Sequence, residues 1–148
     1  MPQRDPVGLK TIKTGLFKGC SGLKTIVVPN TVSSIAAGAF QGCVSLATVN
    51  FAEGNDGNPL VLEDGSSTST SGGGSSNTGT ITGAFSYYTK TSGSGASQSN
   101  ESCVSLTSIT FPKRLSTIGI YAFAYCTNLA TIDFGANSDV SVDRKSVV

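Results

Sequence analysis

The sequence predicts a β-rich solenoid of about four 23-residue turns, stacked through a parallel sheet and joined by short helical or 3₁₀ turns. Three observations predict it. First, one spacing of 23 residues recurs in many pairs at once: Cys20 and Cys43, Phe17 and Phe40, Leu23 and Leu46, Ile12 and Ile35, then Cys103 and Cys126, Leu106 and Leu129, Ile109 and Ile132. Second, apolar and polar residues alternate over strand-length stretches inside each unit. Third, a unit this short cannot bury its own apolar side chains, so its stability has to come from neighbouring copies.

Taken in chain order, the unit reads Cys-x-x-Leu-x-x-Ile-x-apolar-Pro-x-x-Val-x-x-Ile-x-x-x-Ala-Phe-x-x-Cys, with full copies over Cys20–Cys43 and Cys103–Cys126. Leu23, Ile26 and Val28 point inward, while Thr25 and Val27 alternate outward as on a strand. Pro29 and Pro112 lack a backbone donor and suit a strand end or corner. Val32 and Ile35 form a second apolar edge, and Phe40 turns a large ring inward after Gly38 and Ala39. Stacked at strand spacing of about 4.7–4.9 Å, these positions become continuous Leu, Ile/Val, Phe and Cys columns.

The third copy is stretched. It carries 22 extra residues before its Ala84-Phe85 pair and 15 after it. Leu60-Val61-Leu62 is expected to supply its remaining core contacts. The additions, about 63–80 and 88–102, are mostly Ser, Gly and Thr. Segments that bury so little apolar surface are expected to be mobile loops leaving the wall of the solenoid. The solenoid itself is expected over 9–134, with 1–8 a truncated or irregular first repeat: Pro6 aligns with Pro29, and Gln3, Arg4 and Asp5 fall on strand positions. The pattern stops after Phe134, leaving 135–148 as a tail. One back-translation of Asp143–Val148 matches a sequencing adapter, so 143–148 is expected to be an artefact.

Composition excludes several functions. Charged residues are 13% and the formal net charge is +1, which provides no electrostatic footprint for nucleic acid. No apolar run of about 18 residues exists, so no membrane insertion is expected of this chain. Histidine is absent, which removes the commonest general base and both the Ser-His and Cys-His nucleophile pairs. No catalytic residue and no cofactor site is predicted. Gly72-Gly73-Gly74 lacks the Lys-Ser/Thr and the strand–helix context of a phosphate loop.

The motif Leu23-x-x-Ile26-x-Val28-Pro29-x-x-Val32-x-x-Ile35-x-x-x-Ala39-Phe40-x-x-Cys43, repeated from Leu106 to Cys126, resembles the BspA-like, or Treponema-type, leucine-rich repeat. The resemblance covers roughly 9–62 and 81–134 and not the Ser/Gly inserts. It implies a curved right-handed solenoid, often on cell surfaces, used for adhesion or protein binding. It carries no catalytic motif.

Candidate binding residues are the outward strand positions: Thr25, Thr48, Ser108 and Thr131 in one row and Val27, Asn50, Thr110 and Asp133 beside it. Small polar groups with few charges suit a flat contact with a protein or a glycan. The plainer reading is that Thr fits strands and stacks well. A structural spacer carrying other domains is the rival function. An ice-binding Thr-x-Thr array finds support only in Ser108-Ile109-Thr110.

Cys20, Cys43, Cys103 and Cys126 are expected to be a buried thiol ladder. Disulfides, strained by parallel Cβ vectors, and a metal site are the alternatives. Glu53, Asp56, Glu63 and Asp64 cluster and suggest either a Ca²⁺ loop or a solvated turn. Asn100-Glu101-Ser102 fits an N-glycosylation sequon in a loop. Apolar columns ending without caps predict end-to-end self-association.

Overall fold

The computed structural model describes residues 8–71, 77–93, 95–134 and 141–142. The expectations for the first seven residues, for Gly72-Gly73-Gly74 and for 143–148 lie outside the described residues. The chain coils into a β-solenoid of about five turns. One five-stranded parallel sheet runs through every coil: β1 (Thr11–Ile12), β3 (Ser34–Ile35), β5 (Leu60–Leu62), β11 (Leu115–Ile118) and β13 (Ser141–Val142), in that spatial order. Its register places Ile12 beside Ile35, Ile35 beside Leu62, Leu62 beside Ile118, and Ile118 beside Val142. The stack therefore continues past Phe134. The first strand of each later coil is β2 (Thr25–Val28), β4 (Thr48–Phe51), β10 (Ser108–Thr110) and β12 (Thr131–Asp133).

The core is built from vertical files. The rings of Phe17, Phe40, Phe85 and Phe123 stack in order, with centroids 5.2, 5.0 and 5.1 Å apart and planes within 6°. A second file runs Phe51, Phe111, Phe134 at 5.2 and 6.4 Å. Val28, Ile35, Leu46, Leu62, Leu106 and Ile118 are buried between the sheets. Each residue touches its counterpart one coil away, so a 23-residue period in sequence becomes one strand spacing in space.

The corners are hydrogen-bonded turns, and no helix occurs among the described residues. Ala36 O accepts from Ala39 N at 3.2 Å and Phe40 O from Cys43 N at 3.0 Å, single i to i+3 bonds that do not run on. In the second coil Gly38 and Gly42 hold φ of 77° and 84° at these corners. The fourth coil places Tyr121 and Tyr125 there instead, at 62° and 60°. A left-handed non-glycine residue costs about 1 kcal/mol or more. Tyr125 recovers some of this by stacking on Tyr88 at 3.8 Å.

The inserts correct the expectation of loops. They form a four-stranded antiparallel sheet of β6 (Ser66–Ser71), β7 (Asn77–Gly83), β8 (Ser86–Ser92) and β9 (Ser97–Asn100). Two features explain it. Thr68 and Thr70, Thr78, Thr80 and Thr82, and Thr89 and Thr91 alternate with period two, and pair across strands as Thr68–Thr80–Thr89 and Thr70–Thr78–Thr91. The hydroxyls of Thr78 and Thr91 lie 3.2 Å apart. The central hairpin also closes through Ala84-Phe85, both fully buried in the solenoid, so the core anchors the sheet's turn. Gly83 lies so close to the next coil that a Cβ there would fall 1.8 Å from the Tyr121 carbonyl oxygen.

Between β4 and β5 the third coil carries further residues: Ile35 to Leu62 is 27 residues where Ile12 to Ile35 is 23. Arg114, only 4% exposed, braces this loop. Its guanidinium donates to the carbonyls of Val32, Asn58 and Pro29, tying the fourth coil to the third and second.

Candidate functional site

Strands β2, β4 and β10 send Val28, Val49, Phe51 and Ile109 into the core, and β12 packs the partly buried Ile132 against it. Alternation therefore turns Thr25, Val27, Thr48, Asn50, Ser108, Thr110, Thr131 and Asp133 outward, and all eight are exposed. Backbone pairing fixes their register: Thr25 beside Thr48, Val27 beside Asn50, Ser108 beside Thr131 and Thr110 beside Asp133. Val27, 62% exposed, is the apolar member of the set.

The two rows do not run through one continuous ladder. β2 pairs with β4 and β10 with β12, while β4 and β10 lie side by side without pairing. The ladder fails at the step where the intervening coil carries its extra residues. A groove of about 240 Å³ opens there, bordered by Thr48, Asn50, Glu53, Ser108 and Thr110 above Val49 and Phe51. Spacing alone missed both the groove and Glu53, which reads in sequence as part of an acidic cluster. Of that cluster, Asp64 instead accepts the Ile120 N–H at 3.0 Å. No group of three or more possible metal ligands occurs among the described residues.

The arrangement supplies hydroxyls, an amide and a carboxylate. These can hydrogen-bond a ligand, but they include no paired nucleophile and base.

A model of the BspA-type leucine-rich repeat region matches residues 5–57 and 96–143 with six copies, more than half of the chain. The chain belongs to this family. The match leaves out the stretch between, which holds β5, most of the antiparallel sheet and the buried Phe85. No curated protein and no solved structure matches the chain.

The cysteines of this leucine-rich repeat are four free thiols, three of them buried. Cys20 departs from the expected ladder and is exposed, because it stands at the end of the file. The Cys43 thiol donates to the Phe17 carbonyl at 3.2 Å and that of Cys126 to Phe85 at 3.3 Å. Burial, reinforced by the neighbouring Cys20, pushes Cys43 up to about 11. Burial pushes Cys126 up to about 12 and Cys103 higher still. The thiolate is the reactive form. In the folded protein, iodoacetamide is expected to modify Cys20 quickly, while Cys43, Cys103 and Cys126 react only on unfolding. Quick modification of two or more thiols, read by intact mass, would contradict this assignment.

The sequon is tied down rather than presented on a free loop. Asn100 donates its amide to the Tyr125 carbonyl at 3.0 Å and accepts from the Ser102 N–H at 3.1 Å. Ser102 is buried and donates its hydroxyl to the Tyr87 carbonyl at 3.3 Å. A glycan on Asn100 would take one of the two amide hydrogens and compete with the bond to Tyr125.

Proposed function

We propose that this leucine-rich repeat chain is a non-catalytic binding module whose exposed first-strand face holds a protein or glycan ligand. One observation carries the reading. Eight outward side chains of low charge are held in fixed register by a backbone that needs no further ordering, which lowers the entropic cost of binding. An extracellular or cell-surface setting accords with the use of such repeats in adhesion. No described helix is long and apolar enough to cross a membrane. Nucleic acid has no complementary charge here. Apolar surface on the first described coil, where Leu16 is 49% exposed, offers a place for end-to-end self-association.

The test is a face-wide charge substitution. The wild type and a variant with Thr25, Thr48, Ser108 and Thr131 all changed to arginine are compared on arrays of glycans and extracellular proteins, after circular dichroism has confirmed equal folding. Signals should fall at least about tenfold, equivalent to 1.4 kcal/mol. Unchanged signals would remove the face as the site. No signal from either protein would favour a structural spacer.

A further inference from the structure

We infer that β6 is an interface for a second copy of this chain, paired antiparallel edge to edge so that the two insert sheets become one. The inference concerns the insert sheet alone and is independent of what the solenoid face holds. β6 lies at the edge of its sheet: it pairs with β7 on one side and, among the described residues, with no strand on the other. Residues 66–70 are all exposed. Open edges are templates for another strand, and proteins that avoid such pairing place charges, proline, bulges or very short strands there. β6 has none of these. It reads Ser-Ser-Thr-Ser-Thr-Ser over six residues and holds its register with β7 without a shift. The opposite edge, β9, is four residues long and is held at one end, where Asn100 donates to the Tyr125 carbonyl.

The backbone sets the register. Tyr87 accepts from the Glu101 N–H at 2.8 Å, so its peptide groups face β9. Peptide groups alternate sides along an antiparallel strand. Tyr88 and Ile81 therefore face each other, Thr80 and Thr82 face β6, and Ser67, Ser69 and Ser71 turn theirs outward. An antiparallel pair of identical strands has a two-fold axis and closes as a dimer. With the axis at Ser69, Ser69 meets its own copy and Ser67 meets Ser71, which uses every outward group of the strand. Thr68 then lies opposite Thr70 of the other copy. The Thr-to-Thr rows already running Thr68–Thr80–Thr89 and Thr70–Thr78–Thr91 continue across the join. A charged or apolar partner finds no complementary side chain on β6, whereas a second β6 matches it at each position. Space permits the pairing. β6 leaves the solenoid at Gly65, whose N–H donates to the Ile120 carbonyl at 2.7 Å, and an antiparallel copy runs the other way. The two solenoids stand at opposite ends of the joined strands.

The experiment is sedimentation of the whole chain from about 10 μM to 1 mM, a range that detects a dissociation constant up to about 1 mM. A reductant keeps the exposed Cys20 from forming disulfide-linked dimers. The mass should rise from monomer to dimer. Ser69→Lys sets two like charges directly opposite each other at the axis and should raise the dissociation constant at least about fivefold. Ser69→Glu should do the same, and an equimolar mixture of the two variants should associate at least as well as wild type, because the opposed charges then attract. Ser99→Lys, an exposed position on β9, should leave association unchanged. A wild type that stays monomeric to 1 mM, association that ignores Ser69→Lys, equal weakening by Ser99→Lys, or a mixture that fails to recover would each overturn the β6 interface. Association through the exposed Leu16 coil belongs to the second of these outcomes, since it does not involve Ser69.

Discussion

Replacing Phe85 with alanine is expected to lower stability by about 3–5 kcal/mol, the cost of emptying a fully buried aromatic site. The ring stacks on Phe40 on one side and on Phe123 on the other, at 5.0 and 5.1 Å. It is also the turn of the β7–β8 hairpin, so the same change releases the antiparallel sheet from the core. Phe17→Ala is the internal comparison. Phe17 is half-buried at the end of the file, and its loss should cost roughly 2 kcal/mol. Urea denaturation of the two variants checks the order. Equal losses would mean that burial in the file does not set the energy.

The second large effect is expected at Arg114. Its alanine variant removes three N–H donors from the carbonyls of Val32, Asn58 and Pro29 and leaves a void beneath the extra loop. A hydrogen bond from a charged group contributes about 1.5–3 kcal/mol, and such terms do not add fully, so a loss of about 3 kcal/mol is expected. Arg114→Lys should recover less than half. A single ammonium cannot reproduce a planar fork aimed at acceptors on two different coils. Hydrogen exchange of the 52–59 loop would locate the effect; a lysine variant as stable as wild type would contradict the role of the fork.

The files of the core were legible because stacking repeats one geometry. Phe17 and Phe40 are 23 apart, and so are Ile12 and Ile35. Each pair ends up adjacent. The Phe85 position survived its two inserts because Ala84-Phe85 kept its local pattern. The antiparallel sheet was hidden by composition. Its Ser, Gly and Thr content argues for disorder, while the period-two alternation of Thr78, Thr80 and Thr82 argues for a strand, and a buried anchor supplied by Phe85 decided between them. The outward positions were also legible, since alternation alone puts Thr25 and Thr48 on one face. The break between β4 and β10 was not. It depends on how residues 52–59 are absorbed by the coil, and no residue type signals it. The exposure of Cys20 is an end effect of the file, invisible in a motif that is the same in every copy.

Every outward position in this account is set by the inward files, so the files are the place to test it. Phenylalanine rings labelled with ¹³C should show nuclear Overhauser contacts from Phe17 to Phe40, Phe40 to Phe85 and Phe85 to Phe123, and none from Phe17 to Phe85. Rings of Phe40 and Phe123 in contact with each other, with Phe85 touching neither, would contradict the stacked coil and the face built on it.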